Sequence, residues 1–200
     1  MGDSLRGQRV YAPRYRSEWL AKISEAGVRY QQLDALRSLR EQVRRDLLAE
    51  GRKHSAMRLL RQIPSIGPIR AVLLIALMQT PHRFRTKRQL WAYCGLALKT
   101  STSGEYRIVG GQLKRSQKFL AIRGLNTNHN HDLKNIFKSA ATRAAAVRGP
   151  FQEFHVGLVA RGMKPTMARL TLARKIAAIT LIVWKKGVSF DAEHLKQQAA

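Results

Sequence analysis

Residues 51–190 carry 26 Lys and Arg side chains against three acids, Glu105, Asp132 and Glu153. Charge of one sign opposes compaction by self-repulsion, so a chain like this must hold its cations outside a separate apolar core. An ordinary solvated surface does not require such an excess. The expected partner is therefore a polyanion, with nucleic acid the natural one. Residues 1–50 hold seven acids and are nearer balance, so the phosphate-seeking part is the later one. The whole chain of 200 residues has a formal charge of +25.

The core must come from helices. Leu36, Leu39, Val43 and Leu47 recur at three- and four-residue steps between charged residues, the period of an amphipathic helix. Two readings stay open for it: a surface helix packed on its own domain, or a coiled-coil arm pairing with a second chain. The pattern starts near residue 14, weakens at Ala26 and Gly27, and runs to about residue 50. Residues 1–13 read as an irregular lead-in.

A short helix ending near Gln62 is followed by the turn Ile63-Pro64-Ser65-Ile66-Gly67 and a helix opened by Pro68. Proline suits a first helical turn, where its missing N–H has no partner to lose. Two helices joined by an apolar–Pro–small–apolar–Gly turn resemble a helix-hairpin-helix, whose turn amides face a phosphate. Ser65 stands where glycine is more usual. Thr86 is the expected N-cap of the next helix and Gly95 its C-terminal stop. Residues 99–116 form a short irregular or β loop, with turns at Gly104, Gly110 and Gly111. From residue 119 to 148 a helical pattern resumes, with Leu133, Ile136, Phe137 and Ala140 on one face. Residues 151–161 and 166–186 supply two more helices. The fold class is mainly α: a helical domain with a helix-hairpin-helix, preceded by a long coiled-coil-like helix. The expected division is linker 1–50, helical domain 51–190 and tail 191–200.

Several chemistries are poorly supplied. Cys94 is the single cysteine, which excludes an internal disulfide and a cysteine-based zinc site and suits a reducing cytosol. Magnesium takes oxygen ligands, chiefly carboxylates, and three acids over 140 residues are a thin supply. His129 and His131 are two apart, whereas a helical metal pair is usually four apart; the stretch reads as a polar helix entry. No metal ligands are assigned in this chain. The apolar run at residues 176–184 is too short to span a bilayer, and residues 1–16 lack a signal-peptide core. No membrane partner is expected, and the expected place is the cytoplasm, associated with the nucleoid.

The remaining candidate is the stretch Thr100-Ser101-Thr102-Ser103-Gly104-Glu105-Tyr106. A hydroxyl attacking phosphorus needs an exposed oxygen, cations to hold the phosphate, and a proton acceptor. Gly104 permits the exposure; Lys99, Arg107, Lys114, Arg115 and Lys118 are cations nearby. Glu105 and His82 are the possible acceptors. Candidate phosphate contacts are Ser65, Gly67, Arg70, Arg83, Arg85, Lys87, Arg88, Arg107, Lys114 and Arg115.

The hairpin Ile63–Pro68, then "FRTKRQLWAYCGL", "STSGEYR", "RGLN" and "MKPTMARLTLARKIAAITLIVWKKG" stand in series. This series resembles the C-terminal domain of the insertion-sequence transposases called the IS one-ten group, or DEDD transposases, over about residues 55–187. The resemblance implies a coiled coil leading to a helical domain with a nucleophilic serine. It also implies a preceding RuvC-like domain whose four acids bind Mg²⁺, and in some members a structured guide (bridge) RNA. The family serine precedes a glycine after a "YxGL" stretch, here Tyr93-Cys94-Gly95-Leu96, which gives Ser103 the nucleophile role, with Ser101 as runner-up. The acidic domain has no counterpart in these 200 residues. The expectation is therefore a truncated strand-transfer domain, inactive alone. It takes no cofactor of its own, binds DNA, and associates with itself or an intact transposase. Two rivals are a non-catalytic DNA- or RNA-binding module and a ribosome-associated or structural RNA-binding protein.

Overall fold

The computed structural model describes residue 17 and residues 26–101, 106–115 and 121–192. The chain divides into two compact units, Met1–Ala49 and Glu50–Ala200. Seven α-helices and four short strands are defined among the described residues, so the class is mainly α with a short β region.

Helix α1, Ala26–Arg52, carries the heptad-like stripe. Leu36, Leu39 and Val43 on it are exposed. Three carboxylate–cation pairs lie along it and at its end, at Asp34–Arg37, Glu41–Arg44 and Glu50–Lys53, the i,i+3 spacing that brings side chains together on a helix surface.

In the second unit, α2 (Ala56–Leu60) and α3 (Pro68–Met78) form a helical pair. A 3-10 turn, Pro81–Arg83, leads to α4, Lys87–Tyr93. Thr86 caps α4 as its sequence position predicts, its hydroxyl accepting from the Gln89 N–H. Then come α5 (His131–Ala146), α6 (Pro150–Ala160) and α7 (Pro165–Lys186). Helix α7 is the centre: α2, α4, α5, α6 and the 3-10 turn all pack against it. Its run from Ile176 to Ile179, with Leu181 and Val183, is buried, as the apolar stretch predicts. Ala168, Ala173, Ala177 and Ala178 are buried too, and such small side chains let neighbouring helices approach closely. The Thr180 hydroxyl, fully buried, donates to the Ile176 carbonyl at 2.9 Å, which leaves no unmet donor there.

The β region differs from the sequence reading. Residues 121–125 form strand β4 instead of the first turn of a helix, and α5 begins only at His131. Strand β1, Leu98–Ser101, pairs antiparallel with β4: Leu98 faces Leu125, Thr100 faces Ile122 and Ser101 faces Ala121. Between them in sequence lies a second ladder, β2 (Tyr106–Val109) with β3 (Gln112–Arg115). The apolar residues in "FLAIRGL" recur at near-helical steps, but β1 offers a backbone edge for pairing. That long-range pairing outweighs local pattern.

Candidate nucleic-acid interface

The turn between α2 and α3 is built on two buried anchors, Ile63 and Ile66. The Ile66 N–H donates to the Ile63 carbonyl at 3.0 Å, closing the turn. Ser65 has φ +70°, the left-handed region that favours glycine. The turn therefore has the backbone that a glycine there would give, held by a serine. Gly67 is extended at the α3 N-cap, and Pro68 starts the helix. The N–H groups of the next residues, Ile69 and Arg70, have no carbonyl within the helix to bond, which is the chemistry that suits an anion. Arg70 is tied inward: Nη1 donates to the Ser65 carbonyl at 3.1 Å and Nε to Ser139 Oγ at 3.2 Å. It braces the turn against α5.

Arg83, Arg85, Lys87 and Arg88 are exposed around the start of α4. The Arg83 guanidinium lies over the Tyr93 ring, 4.7 Å from its centroid, and donates to the Tyr93 hydroxyl at 3.4 Å. Below this surface α4 is bolted to α7. Trp91 Nε1 donates to the Arg174 carbonyl at 2.9 Å, and Arg174 Nε donates to the Leu96 carbonyl at 2.6 Å. Lys185 Nζ donates to the Phe84 carbonyl at 2.9 Å. Lys175 is buried, and its Nζ has no hydrogen-bond partner among the described residues. Burial, and secondarily the Lys87 ammonium, push its pKa below the usual lysine range.

The end of α4 sets the path into β1. Cys94 and Leu96 are fully buried, and Gly95 has φ +64°. A Cβ on Gly95 would come within 2.6 Å of the His129 ring. The segment before α5 folds over this junction: the Asn130 N–H donates to the Tyr93 carbonyl, and the Asn126 amide donates to the Ala92 carbonyl. Asn130 then caps α5, accepting from the Leu133 N–H at 2.9 Å. The His129 and His131 rings meet at a tilt of 46° with centroids 4.3 Å apart, and His129 Nε2 meets Lys134 Nζ at 3.2 Å. This stretch is the polar helix entry that its sequence suggests.

Ser101 ends β1. Ser103, Gly104, Glu105 and Lys118 lie outside the described residues. Arg107, Lys114 and Arg115 are register positions of the β2–β3 hairpin, Arg107 facing Lys114 and Tyr106 facing Arg115. The sequence reading missed two basic grooves. One, of about 360 Å³, is lined by Arg52, His54, Ser55, Met57, Arg58 and Arg61. The other, of about 380 Å³, is lined by Leu125, Lys138, Thr142, Thr166, Arg169 and Leu170. Neither has a carboxylate in its wall. The first lies along one stretch, residues 52–61, whereas the second gathers residues from β4, α5 and α7 that only the regional excess of cations hinted at.

Residues 57–155 match the sequence model of the family described as Transposase IS116/IS110/IS902. Over that stretch, just under half of its length, the chain is similar to that family. The match opens in α2, takes in the helical pair, α4 and the whole β region, and ends in α6. No curated protein matches the chain. The resemblance to this transposase family implies magnesium, so the donor set decides whether the described residues fit one. Asp132 and Glu153 are exposed on different helices. No group of three or more His, Cys, Asp or Glu among the described residues is placed to hold a metal. These residues do not fit a magnesium site. No helix among the described residues is long and apolar enough to cross a membrane.

Proposed function

We propose that this transposase-family chain grips DNA through its second unit and supplies the Ser103 hydroxyl for strand transfer. The family match across residues 57–155, which spans the serine loop, carries the reading. The excess of cations over residues 51–190 supports it. In the reaction the serine oxygen forms a new P–O bond, the DNA ester P–O bond breaks, and the serine proton leaves to a base while the departing oxygen regains one. The free N–H groups after the α2–α3 turn, the cations at the start of α4 and the two grooves are the phosphate-holding surface. The acidic, magnesium-binding half of the reaction is assigned to a domain outside these 200 residues. A structured guide RNA is a further polyanion that the same surface suits. The exposed stripe of Leu36, Leu39 and Val43 suits pairing with a second copy, as a coiled coil would. Action on DNA in a bacterial cell puts the chain with the nucleoid.

The test has two parts. Contact with about six phosphates gives a slope near −5 in log K against log[salt] on duplex DNA; a flat response overturns DNA binding. With an intact family member and supercoiled DNA, a covalent protein–DNA adduct should form and be lost in Ser103→Ala. An adduct of equal yield in that variant removes Ser103 from the role and returns Ser101. Salt-dependent binding with no adduct favours the second reading, a binding module without chemistry, which the thin carboxylate supply supports.

A further inference from the structure

The β2–β3 hairpin has no place in the helical core. Its turn is Gly110-Gly111, with φ +61° and +79°. Two positive φ angles are what a two-residue hairpin turn of the primed type requires. A Cβ on either glycine would meet nothing within 4 Å, so the tip stands in open space. Ile108 and Leu113 are register partners, 76% and 71% exposed, and Val109 beside them is 54% exposed. A lone two-stranded ribbon is marginal in water, and this one displays its apolar residues to it.

The ten residues from Tyr106 to Arg115 hold three cations, Arg107, Lys114 and Arg115, and no acid. Arg107 and Lys114 are direct register partners. Like charges placed opposite one another disfavour the ladder unless an anion lies against them. A partner must therefore offer negative charge and apolar surface within a space that admits a narrow ribbon. A second copy of the hairpin brings the same three cations and is repelled. The major groove of B-form DNA is about 12 Å wide, admits a two-stranded ribbon, and displays thymine methyls between rows of phosphates. The major groove of an A-form RNA duplex is too narrow and deep to be read this way.

We infer that the β2–β3 hairpin inserts into a groove of duplex DNA, with Ile108 and Leu113 against the bases and sugars and Lys114 at the phosphates. The inference rests on the DNA-binding reading above and names its point of entry. Tyr106 follows Ser103 by three residues, so the start of the ribbon lies within about 11 Å of that residue along the chain. DNA held by the hairpin is held beside the proposed nucleophile.

The experiment uses the full chain with Ile108→Thr/Leu113→Thr, a pair of exposed substitutions that keeps strand propensity. Circular dichroism and thermal melting confirm that the fold persists. Fluorescence anisotropy on a B-form DNA duplex should show about a tenfold loss of affinity with the salt slope unchanged. Binding to an RNA duplex of equal length should change less than about twofold. Lys114→Gln should instead lower the salt slope by about one. If wild type shows no salt-dependent DNA binding, the DNA reading itself fails. If wild type binds and the double variant binds equally well, the hairpin inference is overturned while the DNA reading stands. Equal losses on DNA and RNA overturn it as well. So does a shift from dimer to monomer by light scattering with DNA affinity unchanged, which would show that the apolar pair joins copies of the chain.

Discussion

Replacing Gly95 by alanine tests whether the junction from α4 to β1 is as tightly built as its geometry indicates. Two costs add. The backbone at φ +64° holds an L-residue in the left-handed region, which costs about 1–2 kcal/mol. The new methyl would also lie within 2.6 Å of the His129 ring. That ring cannot swing aside freely, because it packs against the His131 ring and meets Lys134 Nζ at 3.2 Å. Overpacking of this kind costs about 1–3 kcal/mol. The sum, about 2–5 kcal/mol, is a large part of the roughly 5–15 kcal/mol that holds a typical domain. Equilibrium urea unfolding reads it as a lower midpoint at constant slope. Gly162→Ala is the control: φ is +86° there, but nothing lies within 4 Å of the added Cβ, so only the backbone cost of about 1–2 kcal/mol applies. In a His129→Ala background, Gly95→Ala should fall toward the control value, a coupling of about 1–3 kcal/mol. Equal losses at Gly95 and Gly162, or no coupling with His129, would refute the steric argument.

Ser65→Gly should raise stability by up to about 1 kcal/mol: it relieves the strain of φ +70°, set against the greater freedom of glycine when unfolded. A rise of a few degrees in melting temperature checks it, and a fall would show that the serine makes contacts worth more than the strain. Burial pushes the Cys94 thiol from the ordinary 9.0 to about 12, so it should resist alkylation at pH 8 until the chain unfolds. The raised folded pKa means that its stabilising contribution is complete below pH 9 and is lost as pH rises toward about 12. The unfolded thiol releases its proton first, so unfolding free energy should fall by up to about 1.4 kcal/mol per pH unit in that window. Cys94→Ser should flatten this part of the stability–pH curve.

The parts of the fold legible in the sequence are those fixed by residues with a local mechanism. Pro68 starts α3, Thr86 caps α4, and Gly95 takes the left-handed angle that ends it. The face of Leu133, Ile136, Phe137 and Ala140 is buried as its period requires. What escaped the sequence is set by partners distant along the chain. Strand β4 exists because β1 is there to pair with it. Arg70 looked like a free phosphate contact, yet Ser65 and Ser139, 69 residues away from it, hold it inward. The groove of Lys138, Thr142, Thr166 and Arg169 joins two helices that no motif links. Lys175 sits beside an apolar run with nothing in its own spacing to mark it as buried.

The charge of the second unit has a consequence for how binding and folding interact. Among the described residues, three carboxylate–cation pairs lie between residues 34 and 53. From residue 54 to residue 192 the described acids are Asp132, Glu153 and Asp191. The cations around α4, the two grooves and the hairpin therefore have few carboxylates to neutralise them. Their mutual repulsion is a cost carried by the folded state, and it is largest at low salt, where screening is weakest. A polyanion removes that cost at the same sites where it binds. Salt then acts with opposite signs on the two equilibria: screening steadies the free chain, while it weakens the grip on a phosphate backbone by competing with released counterions. On the proposed reading, a surface that repels itself when free and is neutralised on DNA favours the bound state by both routes.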